Sequence, residues 1–175
     1  VPIYQSFNEW LESPYPALGI ECQTCHMPSD GVMTNVAPGM GGVERDPLTI
    51  HSHTFPGAAN ELLLQNTVAM SAAAQPEVGS LLVSVTLTNT AAGHHVPTDH
   101  PGRQMLLLIE VLDDQSVSLP QLFGSTIPAW GGEQANLPGK AYAKILQDVV
   151  SGDTPVVSYW KRTRLLSDNR LAAFA

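Results

Sequence analysis

The chain is poor in basic residues, in cysteine and in long apolar runs. Eight lysines and arginines stand against 16 acids, a net charge of −8, so there is no basic stripe to neutralise phosphates and nucleic-acid binding is disfavoured. The longest apolar runs, such as Leu81 to Val83 and Met105 to Ile109, fall far short of the roughly 18 residues that a membrane span takes. Charged residues make up only 14% of the 175 positions and hydrophobic ones 43%, which excludes a highly charged disordered chain and describes one domain or two small packed units.

The scarce positive charge is also uneven. Residues 1–78 hold Arg45 alone against eight acids, a charge of −7, whereas residues 79–175 are nearly balanced at −1. The first part is therefore expected to draw a basic partner surface, with association that weakens as salt rises. A chain that begins at Val1, with no initiator methionine and no basic, apolar leader, reads as a processed product or an excised fragment.

Both cysteines fall in one run, Glu21-Cys22-Gln23-Thr24-Cys25-His26. C-x-x-C-H is the attachment pattern of a c-type haem: each thiol adds to a vinyl group of the porphyrin and the following imidazole binds the iron. One helical turn sets the two sulfurs along the porphyrin edge and brings His26 under the metal. Other uses of the pair fit less well. A disulfide would close a strained two-residue loop. A thioredoxin-like pair opens a long helix, and Met27-Pro28-Ser29-Asp30-Gly31 stops one at once. Zinc needs two more soft ligands, and there is no third cysteine.

Tyr4, Phe7, Trp10 and Leu11 share a helical face that Ser13-Pro14 ends, so a short helix leads into the motif. From Pro28 to Pro47 the Gly- and Pro-rich sequence reads as a wrapping loop. Asn60 is placed to cap a helix from Glu61 to about Ala74, closed by Gln75-Pro76, whose apolar face would suit a porphyrin. Beyond Glu77 the period changes to two. Strands are expected over Leu81 to Thr90, Arg103 to Leu112, Lys140 to Val149 and Val156 to Lys161. The expected fold is α+β: a helix and loop unit for haem c at residues 1–78, then an antiparallel β-sandwich-like (Ig-like) unit at residues 79–175. The sandwich looks truncated, since no closing strand follows Asp168-Asn169-Arg170.

Beyond His26, the histidines cluster as His51 and His53, then His94, His95 and His100. A six-coordinate haem iron needs one more ligand from these or from Met33, Met40 or Met70. Met27 adjoins the proximal ligand and cannot serve. His53 is the first candidate, because His51-Ser52-His53-Thr54-Phe55-Pro56-Gly57 lies between the wrapping loop and the leucine-rich helix, where the chain would return across the distal face. His51, two residues away, points to the other side of an extended segment. His94 and His95 are the alternatives.

Trp10, Ser13, Cys22-Gln23-Thr24-Cys25-His26-Met27-Pro28, His53-Thr54-Phe55-Pro56-Gly57, Gly93-His94-His95-Val96-Pro97-Thr98 and Arg103 occur in an order that resembles the periplasmic and surface multihaem c-type cytochromes. Gly139-Lys140-Ala141-Tyr142-Ala143-Lys144 and Leu166-Ser167-Asp168-Asn169-Arg170 resemble the β-sandwich portion of those proteins, so the likeness covers most of the chain. It implies electron transfer, bis-histidine ligation and an exported, periplasmic or extracellular location. His53 matches the family's downstream histidine, and His94 its Gly-His, as an alternative distal ligand or a ligand to another haem. Arg103 matches the family's arginine, which would pair with a propionate or with Asp99. The departures are Asp99, where the family has glycine, and the single attachment motif, where relatives have several. Either the protein carries one haem, or other haem subunits or segments complete it, in which case His51 or His94 would ligate a haem contributed by another segment. An enzyme or sensor with an open distal site for peroxide or a small gas, and a relay module of a larger assembly, are the competing functions. Glu110, Asp113 and Asp114 read as a solvated turn rather than a calcium site.

Overall fold

The computed structural model describes residues 3–174. Its fold is α+β: few and short helices, and five strands in two antiparallel sheets. The contacts divide the chain into two units. One comprises residues 10–93 with Phe174, and the other residues 94–173 with the N-terminal segment up to Glu9. The expected boundary at residues 78 and 79 coincides with the turn of a hairpin whose strands both belong to the first unit.

In the unit of residues 10–93, helix α1 (Ser6–Leu11), which begins in the other unit, ends where the Ser13 hydroxyl donates to the Trp10 carbonyl at 2.7 Å. Helix α2 (Tyr15–Leu18) stops at Gly19, whose left-handed φ of 68° aims its N–H back at Pro16. The Trp10 indole donates to the Ile20 carbonyl at 2.9 Å and ties these turns together just ahead of helix α3 (Cys22–His26). The Tyr15 hydroxyl donates to the Ala91 carbonyl at 2.6 Å, and its ring meets Phe174 edge-on. Gly93 packs so closely on that ring that a Cβ there would lie 2.4 Å from Tyr15 Cδ2.

The wrapping loop after α3 is built from side-chain turns. Asp30 Oδ1 accepts from the amides of Val32 and Met33, and Asn35 bridges Ala37 and Gly42. Asn60 caps helix α4 as expected, accepting from the Leu63 amide at 2.8 Å, but α4 covers only Glu61–Gln65. The alanine-rich stretch that follows is strand β1 (Val68–Glu77), paired over its whole length with β2 (Ser80–Asn89). Two causes override its helix propensity. Asn66 and Thr67 turn their side chains back onto the Leu62 and Leu63 carbonyls at the helix end. The alternating β2 then offers this segment a ten-residue ladder. Asn89, fully buried, ends β2 by bonding both the amide and the carbonyl of Ala92.

In the other unit, β3 (Gln104–Leu108), β4 (Gly139–Asp148) and β5 (Thr163–Asp168) form a sheet with β4 in the middle. Ala141, Tyr142, Ala143, Ile145 and Leu146 of β4 are buried, with Ile127 and Val156, so both faces of the central strand are covered. Gly139, with φ 153°, lets β3 approach: a Cβ there would meet the Leu107 carbonyl. The strand expected at Val156 to Lys161 is not formed. This segment is a loop in which Lys161 reaches back to Asp148 at 3.1 Å and Asp153 at 3.4 Å, and the sheet resumes at Thr163. The Val150 amide, then Lys161, holds Asp148 down to about 2. After β5 the chain makes one more antiparallel bridge, Val96 with Leu171. The other strand expected in the β unit, Leu81 to Thr90, is β2 of the hairpin instead.

A buried charge cluster joins the N-terminal segment to this sheet. Glu9 accepts from the Thr98 hydroxyl at 2.6 Å and the His95 amide at 3.1 Å, and pairs with Arg170 at 2.9 Å. Arg170 also forks onto Asp168, both bonds 2.7 Å. His95 Nδ1 lies 3.1 Å from Glu9 Oε1, and Lys144 donates to Gln5 and to the Ile3 carbonyl. Burial pushes Glu9 up, but Thr98, Arg170 and His95 outweigh it and hold its carboxyl below the ordinary 4.5. The stability it supplies is therefore complete above that value and is lost as pH falls through the depressed one. Replacing Glu9 with alanine should cost about 3 kcal/mol at neutral pH, the cost of breaking a buried pair. Glu9→Gln should flatten the dependence of stability on pH below 4.5; denaturant titrations across that range check both. Asn89→Leu, which strands the Ala92 amide and carbonyl, should lose about 2 kcal/mol in the same assay.

Candidate haem-attachment site

Helix α3 is a single turn and a half, and its residues are the motif. The Glu21 amide donates to the Thr24 hydroxyl at 3.3 Å at its start; Met27, at φ −139°, and Pro28 end it. Cys22 and Cys25, three positions apart, lie along one side of the turn. Both are exposed and neither is in a disulfide. Burial, then the Cys25 thiol, pushes the Tyr15 hydroxyl up.

His26 is half-buried, and its Nδ1 lies 2.6 Å from the Pro56 carbonyl oxygen. A carbonyl only accepts, so Nδ1 carries the proton and the imidazole lone pair sits on Nε2. Phe55 lies nearly parallel to the ring, 5.5 Å between centroids and 13° between planes. Phe55 takes a left-handed φ of 46°, a strained value for an aromatic residue, in making that contact. The returning segment therefore meets the motif through Phe55 and Pro56, which the sequence reading did not single out. The signal available for them was only their position in the Phe-Pro-Gly run.

His53 sits at an exposed bend of this segment and makes no side-chain hydrogen bond or ion pair among the described residues. His51, also exposed, has Nδ1 2.7 Å from the Met27 carbonyl. His94 belongs to the other unit, with Nδ1 2.8 Å from the His95 carbonyl, and His95 is engaged by Glu9. His100 accepts from the Gly102 amide. Met33, Met40 and Met70 are all exposed, Met70 on β1. Arg103 reaches the Thr98 carbonyl at 3.5 Å. Asp113 spends Oδ1 on the amides of Gln115 and Val117, a turn as expected. Among the described residues there is no group of three or more His, Cys, Asp or Glu able to hold a bare metal ion, and no helix is long and apolar enough to cross a membrane.

The residues fit a covalently attached haem. Two accessible thiols lie on one turn, and the adjoining imidazole presents Nε2, its orientation fixed from behind by a main-chain carbonyl, as iron-binding histidines commonly are.

Comparison with protein-family models and with curated proteins gives no match. Among solved structures the chain shares the fold of part of a multihaem c-type cytochrome. That protein is a penta-heme cytochrome c552 from Thermochromatium tepidum, similar over 100% of this chain with a TM-score of 0.63 and 22% identity. The chain spans 38% of that protein's length.

The exposure of both cysteines has a direct test. The polypeptide made without haem attachment and kept reduced should titrate two thiols under native conditions as fast as when unfolded; a thiol that reacts only after denaturation would contradict the placement of α3.

Proposed function

We propose that the chain is a c-type cytochrome that carries single electrons on one covalently attached haem c. The observation that carries the reading is the conjunction at α3: Cys22 and Cys25 exposed on one turn, and His26 fixed by Pro56 with its lone pair on Nε2. When bound, the haem supplies an iron that takes up and releases one electron. The chain's own residues do the rest. The two thiols hold the porphyrin edge, His26 Nε2 provides the proximal ligand, and donation from Nδ1–H to Pro56 makes that nitrogen a stronger donor. Phe55 lies nearly parallel to the imidazole on one face. His53 is the proposed distal ligand, on its place in the Thr-Phe-Pro-Gly segment, with His94 the alternative or a ligand to another haem. The fold likeness to part of a penta-heme protein, set against one attachment motif here, supports a relay function among further haems. Haem chemistry of this type places the chain in the periplasm or outside the cell, and its acidic first part suits a redox partner with a basic docking face.

In the natively matured protein, the ferric form should be low-spin without added ligand. His53→Ala should convert it to a high-spin form that binds cyanide or imidazole; an unchanged low-spin spectrum would remove His53 as the sixth ligand. A high-spin parent that binds carbon monoxide directly when reduced would favour the open-site enzyme or sensor. Electron-transfer rates with a basic partner should fall steeply, about tenfold or more, between low and physiological ionic strength.

A further inference from the structure

The connection from β4 to β5 bounds a cleft that the haem chemistry does not use, and every residue lining it belongs to the unit of residues 94–173 and the N-terminal segment. Its walls are held from three directions. Lys144 donates to the Ile3 carbonyl at 3.3 Å and to Gln5 at 2.7 Å, which fixes the segment of Ile3 and Tyr4. The Val149 amide donates to the Arg162 carbonyl at 2.8 Å, and Lys161 pairs with Asp148 at 3.1 Å, so the end of the connection is drawn onto the turn after β4. The Lys161 amide donates to the Ser158 carbonyl at 3.2 Å and closes a second turn, with Tyr159 and Trp160 at its two central positions. The space enclosed is about 630 Å³, within the roughly 300–1,000 Å³ of small-molecule sites.

The second turn is unusual in its residues. Gly, Pro, Asn, Asp and Ser favour such positions, whereas Tyr159 and Trp160 hold large rings there, 69% and 71% exposed and edge-on to each other at 5.0 Å. Tyr159 lines the cleft together with Tyr4, Ile3 and Val149, so much of the lining is ring or aliphatic carbon. The charge beside it is narrowly defined. Lys161 is already offset by Asp148 and Asp153, and Arg164 is engaged by the Gln147 side chain at 2.7 Å. Arg162 lines the cleft and makes no side-chain hydrogen bond or ion pair among the described residues. One free guanidinium matches one carboxylate, whose two oxygens meet its planar fork. An inorganic anion would leave the carbon part of the lining without a contact.

We propose that this cleft binds a small planar monocarboxylate, an aromatic or conjugated acid whose carboxylate pairs with Arg162 and whose ring packs on Tyr159 and Tyr4. The site shares no residue with the attachment motif, so it stands or falls apart from the haem reading.

The test is calorimetric titration of the natively matured protein with trans-cinnamate, with cinnamamide as its uncharged counterpart and 3-cyclohexylpropanoate as its non-aromatic one. Cinnamate should bind saturably at one per chain, and both counterparts should bind more weakly. Arg162→Gln should weaken cinnamate about tenfold or more and leave cinnamamide unchanged, while Tyr159→Ala should weaken both. Arg164→Gln, two residues away, should bind cinnamate as the parent does. These side chains are exposed, and an unchanged thermal unfolding midpoint in each variant checks that the unit stays folded. No saturation up to about 5 mM overturns the proposal, as does cinnamate binding unchanged in Arg162→Gln. Equal loss in Arg164→Gln overturns it too, because the attraction would then be one of general charge, and so does equal binding of either counterpart. Tighter binding of a hexaglutamate peptide than of cinnamate would overturn it in favour of an acidic protein partner.

Discussion

The contact on which the site depends is the hydrogen bond from His26 Nδ1 to the Pro56 carbonyl. The motif supplies two thiols and an imidazole, but α3 is only five residues long and fixes neither the rotation nor the tautomer of the ring. The carbonyl does both, at 2.6 Å, and brings Phe55 against the ring in the same step. A segment thirty residues downstream thus completes what the motif begins. The left-handed φ of Phe55 is the local cost of that approach, and the prolyl residue that follows carries the accepting oxygen without an N–H of its own to satisfy.

The unit built on β3, β4 and β5 solves a different problem. A carboxylate at Glu9 and a guanidinium at Arg170 are expensive to bury, and each is tolerated because its partners are in place: the hydroxyl of Thr98, the amide and ring of His95, and the forked bond to Asp168. Those partners come from the N-terminal segment, from the Gly-His-containing loop and from the end of β5. The cluster therefore fixes, by charge rather than by apolar packing, the loop on which His94 and His95 stand.

The sequence made some of this legible. Cys22, Cys25 and His26 declare themselves through spacing, Asn60 through capping chemistry, β2 through alternation, and β4 through the Ser151-Gly152-Asp153 turn that ends it. The alanine-rich stretch after Gln65 misled because helix propensity is a local quantity, and the ladder offered by β2 is not. The segment Val156 to Lys161 misled because its β-branched and aromatic residues favour a strand locally, whereas Lys161 is held back onto Asp148 and Asp153 and the sheet resumes only at Thr163. Pro56 was out of reach for a deeper reason: its contribution is a main-chain oxygen, which every residue possesses, so no side-chain pattern announces it. The same holds for the Met27 carbonyl that meets His51. His53, by contrast, is conspicuous in the sequence and exposed in the fold, and its ligation rests on the spectroscopy of the matured protein.

Mass spectrometry of the denatured, natively exported protein tests the central claim most directly. The account requires one haem's mass retained on the peptide that contains both Cys22 and Cys25, with neither thiol open to alkylation. Recovery of that peptide unmodified, with free thiols or with a disulfide between them, would contradict it.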